Sequence, residues 1–151
     1  MTLYREARSE DLGRIIPLCV SMQAETEYMR FPINMEKLES FILGMTDGDD
    51  GFVLVAERGE DIVGLFIGCR HEMFFSDLDQ ASEMLFYVAQ SARGSIVGKR
   101  MIQRFEEWAL EHNCARVLIG VSSGVNTDRT EALLGKIGFK AIGGFYAKDR
   151  I

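Results

Sequence analysis

Apolar residues recur along the chain in two rhythms, and each change of rhythm marks a change of backbone. Leu3–Ala7 reads as a short strand. Ser9-Glu10-Asp11 then gives an N-cap signal with acids in a first helical turn. Leu12, Ile15, Ile16 and Cys19 follow at helical spacing, and Met35, Leu38, Ile42 and Met45 repeat that spacing in a second helix beginning near Asn34. Asp47-Gly48-Asp49-Asp50-Gly51 ends it as a turn. From there the apolar positions become short continuous runs. FVLVA (52–56) and IVGLFI (62–67) are joined through Arg58-Gly59-Glu60-Asp61 as a hairpin, and MLFYVA (84–89) is the next strand. Val97, Met101, Phe105 and Trp108 mark one face of a long helix reaching about His112, and VLIGV (117–121) reads as a buried strand. A fourth helix covers about Thr127–Ile137, closed by Gly138 as a left-handed cap with Phe139 packing behind it. Short strands near Phe139–Ile142 and Phe145–Lys148 finish the chain.

The order β-α-α-β-β-β-α-β-α-β mixes antiparallel hairpins with two strand–helix crossovers. It predicts an α/β (α+β) fold with a mixed, mostly antiparallel sheet flanked by helices, not a doubly wound parallel sheet. No Pro/Ser-rich linker or repeat divides the sequence, so residues 1–151 read as a single domain. Hydrophobic residues at 47% and charged residues at 26% fit a globular chain with a sizeable core. A net charge of −6 argues against nucleic acid or an anionic membrane as partner. Cys19, Cys69 and Cys114 are widely spaced, odd in number and set in apolar contexts, which suggests buried thiols and neither a disulfide framework nor a metal site. No secretory leader opens the sequence and no apolar run approaches the length of a membrane span, so the expected location is the cytoplasm.

The chemistry concentrates in AQSARGSIVGKRM (89–101), which joins the strand MLFYVA to the third helix. A strand entering a helix through glycines offers free backbone N–H groups and the positive end of the helix dipole, and both favour anions such as phosphate. Gly94 and Gly98 permit close approach of a ligand, Ser95 offers a hydroxyl, and Arg93 or Lys99 adds charge. A plain glycine-bearing turn is the simpler alternative. A Walker-type loop fits poorly, because Gly94 and Gly98 enclose three residues where four are needed, and Arg100 stands where the magnesium-binding hydroxyl belongs.

Arg93-Gly94-Ser95-Ile96-Val97-Gly98 between a strand and an amphipathic helix resembles the pyrophosphate loop of the GNAT superfamily of acyl-CoA-dependent N-acyltransferases. Arg93 and Gly98 match that loop's pattern, and Ile96 occupies its middle glycine position. Leu134-Gly135-Lys136-Ile137-Gly138-Phe139 resembles the family's second signature, a helix ending in Lys-x-Gly-Phe, and the element order fits the family from end to end. The resemblance implies an N-acetyltransferase that moves acetyl from acetyl-CoA to an amine by direct attack in a ternary complex, releasing CoA and needing no metal. It implies cofactor contacts from Tyr87, Val88 and Ala89 to the pantetheine arm and from Arg93, Gly94, Ser95, Ile96, Val97, Gly98 and Lys99 to the pyrophosphate. Asn126 lies about one residue from the family's cofactor-contacting Asn. The thioester would lie where MLFYVA and VLIGV splay apart. The implied partner is a small-molecule or peptide amine, and the family's frequent dimers leave a homodimer open. A noncatalytic CoA-binding or scaffold module with the same fold is the alternative, favoured by Ile96 and by Leu134, which stands where the family's general-acid Tyr usually does.

Acetyl transfer to an amine needs a base for the acceptor and a proton for the departing thiolate. Glu83, at the head of the central strand, is the expected base; strand alternation places it on one face with Leu85 and Tyr87. Tyr146 is the candidate acid, with Tyr87 a further one; a packed tyrosine is the simpler reading of each, and departure as thiolate with no side-chain donor is the alternative. ETEYMRF (25–31) joins the first two helices and offers Glu25, Tyr28 and Phe31 as acceptor contacts, with HEMFFSDLDQ (71–80) as a second wall.

Overall fold

A run such as FVLVA is apolar at every position because helices cover both faces of its sheet, so neither side chain direction meets water. The computed structural model describes residues 1–121 and 123–151. Its strands are β1 (Leu3–Glu6), β2 (Gly51–Arg58), β3 (Asp61–Glu72), β4 (Asp79–Val88) and β5 (Arg116–Leu118). They lie in the order β1-β2-β3-β4-β5, antiparallel throughout except for the parallel pair β4–β5. The helices are α1 (Leu12–Glu25), α2 (Met35–Asp47), α3 (Val97–Glu111) and α4 (Thr127–Lys136). The mixed, mostly antiparallel sheet flanked by helices is the architecture the apolar pattern predicts.

Alternate residues of β2 serve two cores. Phe52 and Leu54, with Phe66 of β3, pack on Met101, Phe105 and Trp108 of α3 and on Leu134 of α4. Val53 and Val55, with Leu65 and Ile67, pack on Ile15 and Cys19 of α1 and Ile42 of α2. Two glycines of β3 bring α3 close to the sheet. A Cβ on Gly64 would lie 2.7 Å from the Met101 sulfur, and one on Gly68 would overlap the Phe105 ring. That ring stands 4.6 Å from Phe66 and lies stacked against Trp108, so it has no empty space to yield into.

The start of α1 departs from the expected cap. Ser9–Asp11 is a 3₁₀ turn, and Asp11 reaches back to accept the Arg8 N–H at 2.8 Å. Arg5 of β1 grips the same carboxylate through both terminal nitrogens, at 2.8 and 2.9 Å, and also reaches Glu57 of β2. The Arg5 guanidinium, foremost, holds the Asp11 pKa down to about 2. Asn34 does cap α2 as predicted, accepting the Lys37 N–H at 3.0 Å. Gly138, at φ +99°, ends α4 as predicted, with the Phe139 N–H returning to the Leu134 carbonyl at 2.9 Å.

β3 and β4 are longer than their apolar runs. Their distal halves pair Cys69 with Ser82, Arg70 with Ala81 and His71 with Gln80, largely polar residues that carry no periodic signal. HEMFFSDLDQ is therefore the tip of this hairpin: its first two and last two residues pair, residues 73–78 form the turn, and none of the stretch lines the cleft described below. The two closing strands are a correction. Residues 140–151 are exposed and carry no strand. Gly143 and Gly144 interrupt the apolar residues there, and a strand without a packed face has little to hold it.

Gly68→Ala should destabilise the fold by about 1–3 kcal/mol, the usual cost of overpacking a tight core. A lowered urea midpoint would show it; an unchanged midpoint would mean that α3 is not seated on this glycine.

Candidate active site

Parallel pairing of β4 with β5 covers Gln80–Arg116, Ala81–Val117 and Ser82–Leu118, and then stops. β4 runs on to Val88 while residues 119–121 leave the sheet. At the point of parting, Glu83 Oε2 accepts the Gly120 N–H at 3.1 Å. Burial pushes the Glu83 pKa up to about 7, against the opposing pull of that hydrogen bond. The Phe145 ring borders the same spot, 3.3 Å from where a Cβ on Gly120 would stand.

The expected alternation of Glu83 with Leu85 and Tyr87 is corrected by a β-bulge. Ile67 pairs with Leu85 but Gly68 pairs with Glu83, which leaves Met84 as an extra residue. Leu85 packs with the α1/α2 core, whereas Phe86 and Val88 pack with the α3 core. Glu83 shares the α3 side through its partner Gly68, whose absent Cβ faces Phe105. The bulge thus turns Glu83 to the face opposite Leu85 and Tyr87.

Beyond Glu83 a cleft of about 420 Å³ opens between the end of β4, the loop into α3, and α4. Of the residues expected to hold a cofactor, Tyr87, Val88, Arg93, Gly94, Ser95, Gly98 and Asn126 line it. The loop begins with a 3₁₀ turn (Gln90–Ala92), and Gly94 takes a left-handed φ of +75° that favours glycine. Ser95 donates its hydroxyl to the Ala92 carbonyl. Among the described residues, no protein acceptor takes the amides of Gly94, Ser95, Ile96, Gly98 or Lys99. These are the donors that a helix start leaves over. Side chains at the remaining expected positions point elsewhere: Val97 is buried in the α3 core, Ile96 is 55% exposed, and Lys99 is exposed. The Ala89 N–H bonds to the Val63 carbonyl at 2.8 Å, continuing the sheet.

Arg93 is held by the protein. Its Nε–H donates to the Val88 carbonyl at 2.9 Å, its terminal nitrogens bind Glu25, and its guanidinium lies 5.4 Å from the Tyr87 ring centre. Gln90 and the Tyr87 hydroxyl also donate to Glu25. Arg93, foremost, lowers the Glu25 pKa. Glu25, expected at the acceptor, lines the cleft but is spent on the loop. Tyr28 and Phe31 lie outside the cleft lining, on a turn whose carbonyls at Tyr28, Met29 and Phe31 all accept from the Gln23 amide at 2.8–2.9 Å. Glu27 N–H joins this turn to the Ser123 carbonyl at 2.9 Å.

Tyr146 is 98% exposed on the segment after α4 and outside the cleft lining. Leu134 is buried in the α3 core. On the α4 wall only Asn126 was expected from the sequence. Arg129, Thr130, Leu133 and Lys136 also border the cleft, and their spacing along one helix face was the available signal. A second, polar cavity of about 340 Å³ lies at the opposite end of the sheet, near Glu6, Asp49 and His112.

Solved structures share this fold at low identity. One is a transcriptional regulator from Bacillus halodurans C-125, with 20% identity, TM-score 0.77, and 99% of this chain and 100% of that chain covered. Another is a ribosomal-protein-alanine N-acetyltransferase from Brucella melitensis biovar Abortus 2308, with 15% identity, TM-score 0.73 and 99% coverage of both. A third is an aminoglycoside acetyltransferase from an uncultured soil metagenomic sample, in complex with sisomicin, with 19% identity, TM-score 0.73, and 99% and 97% covered. No curated protein sequence matches the chain. The model of the acetyltransferase (GNAT) family matches residues 18–139, most of the chain and the whole of the cleft. The chain belongs to the GNAT acetyltransferase family.

Proposed function

We propose that this chain transfers an acetyl group from acetyl-CoA to an amine by direct attack in a ternary complex. The observation that carries the reading is the parting of β4 and β5, which leaves Glu83 at its head and a row of unbonded helix-start amides beyond it. A diphosphate suits those amides, which lie at the positive dipole end of α3, and Gly94, Ser95 and Gly98 among them border the cleft. The backbone of Tyr87–Ala89 would flank the pantetheine arm, and Asn126 would border the ligand from α4. Acetyl-CoA, when bound, supplies an activated thioester.

Glu83 takes the proton that the attacking amine gives up, directly or through water, as the new C–N bond forms and the C–S bond breaks. A carboxylate titrating near 7 is matched to that work. Leu134 and Tyr146 give the departing sulfur no proton donor where they stand, and a thiol of pKa ~8.5 departs tolerably as thiolate. The acceptor is a small-molecule or peptide amine. That class fits the neighbours named for aminoglycosides and a ribosomal-protein alanine. The fold alone does not set the activity, since a transcriptional regulator shares it.

Calorimetry with acetyl-CoA and CoA should show binding that weakens at least about tenfold when Gly98 becomes Leu, because the added side chain would crowd the cleft beside Phe86 and Leu133. Failure of both compounds to bind the wild-type chain would end the acyltransferase reading. Binding without turnover on a panel of amines would favour a noncatalytic module.

Glu83→Gln should lower kcat/KM by about 10²–10⁴ and abolish the acidic limb near pH 7. The same group has a readout free of any acceptor. Its folded pKa stands above the ordinary 4.5, so its contribution to stability is full below that value and is lost as pH rises through about 7. The variant's Tm should therefore decline less than the wild type's between pH 5 and 8; parallel curves and unchanged turnover would remove Glu83 from the mechanism.

A further inference from the structure

We infer that two arginines divide the work that the loop motif assigns to one: Arg93 positions the loop, and Arg129 supplies the cation for the diphosphate of a CoA-type ligand. The inference rests on the acetyl-CoA reading above and names a residue that the motif does not.

Arg93 has little left to offer an anion. Its Nε–H is committed to the Val88 carbonyl, its terminal nitrogens to Glu25, and one face of its guanidinium to Tyr87. An approaching phosphate would meet a neutral Arg93–Glu25 pair, not a cation. Withdrawing Arg93 toward the ligand would leave the Glu25 carboxylate facing the same negative charge. The pair instead fastens the end of α1 to the end of β4, which fixes where the loop begins.

Arg129 is placed and available. It is exposed on α4, and among the described residues no carboxylate or carbonyl holds it. Its terminal nitrogen lies 3.4 Å from the position a Cβ on Gly94 would take, against the loop whose amides at Gly94, Ser95 and Ile96 are unbonded. A guanidinium on one wall and amides on the other form a two-sided cradle, and the planar fork of arginine matches phosphate oxygens. Lys136, two turns along the same helix face, borders the same cleft and adds to the local positive charge.

Calorimetry on the full chain with CoA and with dephospho-CoA tests the division, with Tm recorded for each variant. Arg129→Gln should weaken both ligands by about 10- to 100-fold, the range for a lost charge-assisted hydrogen bond, with Tm unchanged and partial recovery in Arg129→Lys. The double variant Glu25→Gln/Arg93→Gln removes no net charge, so it should lower Tm and weaken CoA by loosening the loop while the salt dependence of CoA binding stays as in the wild type; Arg129→Gln should flatten that dependence. Unchanged binding in Arg129→Gln overturns the inference, as does an equally flattened salt dependence in the double variant. A loss confined to CoA would move Arg129 to the 3′-phosphate and also overturn it. If the wild-type chain binds neither ligand, the acetyl-CoA reading itself fails, a result distinct from all of these.

Discussion

Among the described residues, backbone groups along β4 beyond Ser82 have no strand beside them on the β5 side, and a strand edge inside a domain is costly unless other groups satisfy it. Side chains hold the opening at both ends. Glu83 takes the Gly120 amide where the strands part, and Arg93 takes the Val88 carbonyl where β4 ends. The cleft between them follows from this interruption in pairing. Gly64 and Gly68 let α3 lie low on the sheet, and the start of that helix borders the cleft.

Two charge arrangements around the opening have different physical characters. The Glu25–Arg93 pair is partly shielded, joined by Gln90 and Tyr87, and ties the end of α1 to the end of β4. The cations of α4 have no such partners among the described residues and keep their charge for the cleft. In a chain of net charge −6, this local positive wall is the kind of feature that overall charge conceals.

Much of this was legible in the sequence because burial on both faces of the sheet produces continuous apolar runs, and one-sided burial of α3 produces a clear stripe. The loop after MLFYVA was legible through its glycines and its place before a helix. Other features were hidden for particular reasons. Met84 is an ordinary apolar residue, and nothing local marks it as the extra one that turns Glu83 to the other face. Arg93 reads as a free cation because Glu25 lies 68 positions away in sequence. The outer halves of β3 and β4 pair through residues too polar to show a period. The strands expected after Phe139 rested on apolar residues that the structure leaves without a packed face.

Amide hydrogen exchange with and without CoA tests the central claim most directly, since it reads the loop amides themselves. Exchange at Gly94, Ser95, Ile96, Gly98 and Lys99 should slow when CoA is present. Slowing confined to the polar cavity near Glu6, Asp49 and His112, with the loop unaffected, would contradict it.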